Sequence, residues 1–151
     1  MTEALDLHRL TGFLVRRAQQ VHVAAWTAEV SADITSVQFG VLNLLREQPG
    51  ASQRMLCDSL DLDQSTIADI VQRLQRRGLI TRVRDVVDRR RNVLDLTDEG
   101  RRQFDALVPG VRRVDAVMTA GLDAQESANL RRLLETLLES PLAREAVHHD
   151  G

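Results

Sequence analysis

Lysine is absent from this sequence, and all twenty basic residues are arginine. Guanidinium forks suit phosphate and guanine, but a genome-wide codon bias is the plainer account, so the absence excludes little by itself. Aromatic residues make up only 3% of the chain, which argues against a stacking platform for single-stranded nucleic acid. The one cysteine, Cys57, excludes an internal disulfide framework and is ordinary in a cytosolic chain. No apolar run approaches the roughly 18 residues needed to cross a bilayer. The opening Met1-Thr2-Glu3 lacks the charged-then-apolar pattern of a secretory signal. A cytoplasmic protein with no membrane partner is therefore expected. Nucleophile–base pairings, phosphate-cradling glycine loops and ligand clusters at metal spacing are also missing. These absences argue against an enzyme and against any cofactor or metal, with His148 and His149 read as solvated residues of a tail. No internal repeat or low-complexity segment is present.

At 151 residues the chain is about one domain's worth, and its 43% apolar and 28% charged residues are ordinary for a globular protein. The net charge of −2 is unevenly spread. Residues 73–102 hold ten arginines and five acids, a balance of +5, so the remainder carries −7. A basic segment on an acidic body is the electrostatic footprint expected for a polyanion partner.

That segment lies within the stretch from Asp63 to Leu96, which reads as a recognition helix followed by a two-stranded wing. Asp63 is a good N-cap. Ile67, Ile70, Val71 and Leu74 form one apolar stripe at helical spacing. The other side carries Ser65, Asp69, Gln72, Arg73 and Arg76, with Thr66 at its edge. Gly78 supplies the left-handed stop. Leu79 to Arg84 alternates, with Leu79, Thr81 and Val83 on one face and Ile80, Arg82 and Arg84 on the other. Asp85 to Arg91 is a charged turn, and Asn92 to Leu96 alternates again around Val93 and Leu94.

Upstream, a first helix is expected from Ala4 to about Val30. Its stripe of Leu7, Leu10, Leu14, Ala18, Val21 and Ala25, with a second line through Phe13 and Trp26, exceeds what one small core requires. It suggests burial against another subunit, the alternative being a long core helix. Thr35 or Ser36 can cap a second helix reaching Glu47, with Phe39, Leu42 and Leu45 inward and Val41 and Leu44 alongside. Pro49-Gly50 stops it, and Ala51-Ser52 can add a short strand to the wing. A third helix, Gln53 to Leu60, with Met55, Leu56 and Leu60 inward, completes helix-turn-helix spacing with the recognition helix. Downstream, Thr97 caps a helix with Phe104, Leu107, Val111, Val114 and Met118 inward. Pro109 should kink it and Gly121 should end it. Asp123 caps a last helix bearing Leu130, Leu133, Leu134, Leu137 and Leu138, which Pro141 stops. The fold class is mainly α with a small β-wing: a winged helix-turn-helix lobe over 35–100, a helical dimerisation region over 1–34 and 101–140, and a frayed tail over 141–151.

This arrangement resembles the MarR family of dimeric bacterial transcription regulators. Four strings carry the resemblance, in the family's order and spacing. They are Thr35-Ser36-Val37-Gln38-Phe39-Gly40-Val41-Leu42; Leu62-Asp63-Gln64-Ser65-Thr66-Ile67; Arg73-Leu74-Gln75-Arg76-Arg77-Gly78-Leu79-Ile80; and Asp85-Val86-Val87-Asp88-Arg89-Arg90 with Leu96-Thr97-Asp98-Glu99-Gly100. The likeness runs from about residue 5 to 139. Val86 stands where the family often has proline, which leaves the wing turn less rigidly preset.

The DNA-binding candidates are Gln64, Ser65, Thr66, Asp69, Gln72, Arg73 and Arg76 on the recognition helix, and Asp88, Arg89 and Arg90 in the wing. Arginine can pair bidentately with guanine, glutamine with adenine, and an acid can accept from cytosine. Asp69 either reads cytosine or orients Arg73 or Arg76. An arginine at the wing tip, with Arg91 beside it, can enter a narrow minor groove, and the resemblance implies that Asp88 holds Arg90 there. The alternatives are a solvated helix face and a disordered charged turn. Paired lobes of a homodimer would address double-stranded DNA as a pseudo-palindromic operator.

Arg16, Gln19 and His22, beside Val23–Trp26, are the effector-binding candidates together with Trp26. A guanidinium can hold a carboxylate and an imidazole can bond a phenol oxygen. The run Arg16-Arg17-Ala18-Gln19-Gln20-Val21-His22 looks like that of family members answering to aromatic acids such as hydroxybenzoates. An interhelix salt bridge with a core histidine is the competing reading. The expected function is therefore a ligand-responsive, sequence-specific repressor released by a small aromatic carboxylate. The alternatives are a redox sensor acting through Cys57, a broad-range efflux regulator, and a winged-helix adaptor without an operator.

Overall fold

The computed structural model describes residues 4–89, 92–142 and 145. After a short 3-10 turn (Leu7–Arg9), the chain forms α1 (Thr11–Glu29), α2 (Ser36–Glu47), α3 (Gln53–Leu60), α4 (Gln64–Arg76), β1 (Ile80–Arg84), β2 (Asn92–Leu96), α5 (Asp98–Thr119) and α6 (Ala124–Glu139).

Side-chain caps set most of these boundaries. Thr35 and Gln38 close a capping box at α2, Ser52 caps α3, Asp63 caps α4, Thr97 caps α5, and Asp123 closes a second box with Glu126 at α6. Asp61 adopts the left-handed conformation (φ 52°) in the turn between α3 and α4. Gly78 (φ 71°) does so after α4, where a Cβ would be strained.

The expected single helix from Ala4 begins instead at Thr11. Asp6 accepts from the His8 amide at 3.1 Å, closing the 3-10 turn, and Leu10 is extended (φ −90°, ψ 118°). A local side-chain bond thus outcompetes continuation of the helix. At the other end α5 runs past Pro109 and finishes at Thr119, ahead of Gly121, whose φ is not positive. Of the expected tail, only Pro141, Leu142 and Glu145 fall within the described residues, and His148 and His149 lie outside them.

The lobe core gathers Ile34, Val41, Leu42, Leu45, Leu56, Ile67, Val71, Leu74, Leu94 and Leu96 around Phe104 and Leu107 of α5. Phe39 stacks on Phe104 with ring centroids 5.2 Å apart and meets Trp26 edge-on at 5.8 Å. These contacts join the lobe to a smaller cluster of Ala25, Trp26 and Val114 between α1 and α5. Met55 is exposed rather than inward: α3 is two turns long and turns only Leu56 fully into the core.

The wing pairs β1 with β2 antiparallel, from Ile80 opposite Leu96 to Arg84 opposite Asn92. Ala51 bridges Leu94, so the expected third strand is a single residue. Leu79 and Ile80 are both buried and Val83 is exposed. The expected two-face alternation of β1 therefore fails, because only its base touches the core while its outer end projects into solvent.

Of the apolar stripe expected of the first helix, Ala25 is buried, but the residues ahead of it in α1 and in the preceding turn stay bare. Leu7, Leu10, Leu14 and Val21 are exposed, as are Leu130, Leu133, Leu134, Leu137 and Leu138 of α6.

Candidate nucleic-acid interface and effector pocket

The recognition helix α4 buries Ile67, Ile70, Val71 and Leu74 and leaves Gln64, Ser65, Asp69, Gln72, Arg73 and Arg76 exposed, with Thr66 half-buried. At its start the Asp63 carboxylate accepts from the hydroxyls of Ser65 and Thr66, at 2.5 Å each, and from the Thr66 amide at 2.8 Å. The Ser65 hydroxyl first, then the Thr66 hydroxyl and amide, hold the Asp63 carboxyl well below the usual carboxylate range. Both hydroxyl protons point back at Asp63, so these two side chains turn lone pairs outward.

Asp69 pairs with Arg73 at 2.8 Å, one turn along the exposed face. Ala68, Asp69, Gln72 and Gln75 form one wall of a groove whose other wall is Arg82 of β1. Arg82 in turn donates to Gln53 Oε1 at 2.8 Å, tying the wing to the start of α3. This wing arginine was not among the expected site residues, although it lies in the basic segment.

In the wing turn, Asp85 accepts from the Val87 amide at 2.8 Å. The carboxylate thereby presets the bend that a proline at position 86 would otherwise impose. Val86 and Val87 are almost fully exposed at the tip, and Arg89 is exposed beside them. Asp88 is described, but Arg90 and Arg91 are not, so the expected Asp88–Arg90 pairing lies outside the described residues.

Behind the lobe, a cavity of about 140 Å³ opens between the end of α1 and the start of α2. That is close to the volume of cavities that accept one benzene-sized ring. His22, Val23, Trp26 and Thr27 line one side, and Ser31, Ala32, Ile34, Thr35 and Ser36 the other. The His22 Nδ1 atom is buried without a hydrogen-bond partner, and its ring stands 6.0 Å from that of Trp26. Trp26 spends its own donor on the Ile34 carbonyl at 2.6 Å and offers the cavity only its ring.

The structure therefore brings His22 and Trp26 together at the cavity but not Arg16 or Gln19. The Arg16 guanidinium lies over the Phe13 ring at 5.2 Å, about 9 Å up the helix from His22 at 1.5 Å per residue. The facing wall from the 31–36 loop was missed. Its only mark in the sequence is the break in periodicity between two helices, which says nothing about what the break encloses.

Cys57 is half-buried, and burial first, then the charges of Asp58 and Asp63, push its thiol pKa up. A thiol so placed is protonated at neutral pH and poorly suited to sensing oxidants. No group of three or more His, Cys, Asp or Glu that could hold a metal occurs among the described residues. None of the described helices is long and apolar enough to cross a membrane.

A family model described as the MarR family matches residues 32–91. The HTH-type transcriptional repressor NicR of Pseudomonas putida is 33% identical over 136 residues, which are 89% of this chain and 86% of that protein. The PcaV transcriptional regulator from Streptomyces coelicolor, crystallised with its natural ligand, is 42% identical. It superposes with a TM-score of 0.87 over 92% of this chain and 99% of that one. BpsR of Bordetella bronchiseptica, whose DNA binding is regulated by 6-hydroxynicotinic acid, is 29% identical with a TM-score of 0.84, covering 91% and 99%. Caps, wing, groove and core thus agree with sequence and structural likeness over nearly the whole chain: it belongs to the MarR family.

Proposed function

We propose that the protein is a homodimeric, sequence-specific repressor that leaves its operator when a small aromatic carboxylate binds. The observation that carries this reading is α4. One face of the helix is sunk in the core, and the other shows polar and charged side chains, with Ala68 among them, beside a basic wing. Arg73, steered by Asp69, and Gln72 are suited to base edges. Arg76, Arg89 and Arg90 are suited to backbone phosphates and the minor groove. The chain then works by binding rather than catalysis, in the bacterial cytoplasm where the operator lies. Residues 1–34 and 101–140 would join two subunits through the exposed stripes of α1 and α6.

The cavity beside His22 supports the effector part. An aromatic ring would lie against Trp26, and a ring hydroxyl would satisfy the orphan Nδ1 of His22. Arg16 and Gln19 do not line the cavity, and the Arg16 side chain would have to leave Phe13 to reach a bound carboxylate. The contact of Arg16 with Phe13 is solvent-exposed and worth only about 0.5–1 kcal/mol, so a carboxylate offering two charge-assisted bonds would draw the guanidinium away.

Calorimetry with 4-hydroxybenzoate, 3,4-dihydroxybenzoate and 6-hydroxynicotinate tests the pocket, and operator binding with and without each acid tests release. His22→Ala and Arg16→Ala are expected to weaken effector binding about tenfold or more, the loss of one good polar contact. Arg73→Ala and Arg90→Ala are expected to weaken operator binding by about 1–3 kcal/mol. The effector reading fails if no acid binds, or if both pocket variants bind as the wild type does.

A further inference from the structure

The 31–35 loop is held from three directions. Ser31 Oγ accepts from the amides of Asp33 and Ile34, both at 3.0 Å. Trp26 Nε1 donates to the carbonyl of Ile34. From outside the pocket, Arg77 Nη1 donates to the carbonyl of Asp33 at 2.5 Å. Arg77 is the C-cap residue of α4. Two successive carbonyls of one loop therefore reach in different directions, Ile34 to the pocket wall and Asp33 to the end of the recognition helix. Ala32, Ile34 and Thr35 of that loop also line the cavity. The next residue along, Gly78, is gripped from the other side, its carbonyl accepting from Thr97 Oγ1 at 2.6 Å.

We infer that Arg77 is a positioning residue that couples pocket occupancy to the recognition helix. This rests on the effector reading proposed above and adds its route. A ligand shifts an equilibrium only through its different affinity for two states. With the Arg77 bond in place, the position of the pocket loop becomes part of the difference between those states. A ligand that displaces Ile34 moves the adjoining Asp33 carbonyl, and Arg77 must then follow it or let go. Either result changes how the C-terminal end of α4 is held, while Thr97 keeps that end attached to α5. Coupling of this kind is reciprocal: operator DNA must weaken effector binding by the factor by which effector weakens DNA binding.

The link can be tested without a ligand by amide hydrogen exchange on a double-mutant cycle. Trp26→Phe keeps a ring in the core and removes the indole donor to Ile34. Faster exchange is expected at Asp33 and Ile34 and, when Arg77 is present, across residues 75–79 as well. In an Arg77→Met background the effect on 75–79 should disappear. An equal effect in both backgrounds, or none at 75–79 in either, overturns the inference.

A second arm measures the factor by which 4-hydroxybenzoate weakens operator binding. This factor should fall about fivefold or more in Arg77→Met, within the usual range of allosteric couplings, and recover in part in Arg77→Lys. If Arg77→Met weakens operator binding equally with and without the acid, the residue is a phosphate contact and the inference is wrong. If wild-type protein ignores this acid and the other two of the panel, the effector reading fails while the exchange cycle still judges the link.

Discussion

Asp63 does two jobs with one carboxylate. It caps α4 through the Thr66 amide, and it takes the hydroxyl protons of Ser65 and Thr66. On the proposed interface those hydroxyls would therefore meet a DNA duplex as acceptors, matched to the exocyclic amines of adenine or cytosine rather than to phosphate oxygens. The same bonds hold the folded-state pKa below the ordinary 3.8. The resulting contribution to stability is present above about pH 3.8 and is lost as the pH falls through the lower folded-state value. An Asp63→Asn variant should therefore melt a few degrees below wild type at pH 7. The gap should hold down to about pH 3.8 and narrow as the pH falls further towards the lower folded-state value, as followed by circular dichroism melts from pH 7 to 2. A gap that stays constant with pH would mean the charge is irrelevant to the cap. Asp63 was legible from the sequence as a cap, because capping follows from residue type and position. Its grip on two hydroxyls depends on rotamers and was not.

Among the elements, two close approaches of backbone to backbone are made at glycines. A Cβ on Gly110 of α5 would stand 2.3 Å from the Glu29 carbonyl oxygen at the end of α1, and one on Gly100 would stand 1.9 Å from the Leu79 carbonyl oxygen. The partner in each case is backbone, which cannot swing aside. Arg113 reinforces the first contact, reaching the Glu29 carboxylate at 2.7 Å and its carbonyl at 3.2 Å. Gly110→Ala is therefore expected to cost about 1–3 kcal/mol, the usual penalty for overpacking. Urea denaturation should show this as a lower midpoint at unchanged slope. The periodicity of α5 was readable, but this glycine contact was not, because nothing local distinguishes a glycine that touches a neighbouring helix from one that faces water. The wing shows the reverse case. Asp85 and the alternating residues after Asn92 mark a hairpin plainly, yet how far β1 stands off the core is set by the lobe beneath it.

For the whole molecule, two facts stand together: a +5 segment on an acidic chain, and leucines left bare on both outer helices. Association through those faces would place two basic lobes on one side, and each phosphate contact then adds to the salt dependence of DNA binding. Leu134 is 41% exposed, so Leu134→Arg should leave the lobe folded. It is expected to yield a monomer by sedimentation, to weaken operator binding by at least the contribution of one half-site, and to flatten the slope of log affinity against log salt to about half. A variant that remains dimeric with an unchanged slope would place the subunit contact elsewhere.

The sequence by itself determined the order of elements, their caps, the buried stripe of α4 and the basic wing. Each of these follows from residue type and spacing along a few turns of chain. Only the folded structure decided that the first helix starts at Thr11, that Arg16 lies over Phe13 away from the cavity, and that the 31–36 loop forms the pocket's second wall. It also decided that Arg77 reaches across to Asp33. The loop wall and the Arg77 bond depend on residues brought together by packing, whereas the Asp6 bond and the Arg16 contact are choices among competing local partners, which periodicity does not set.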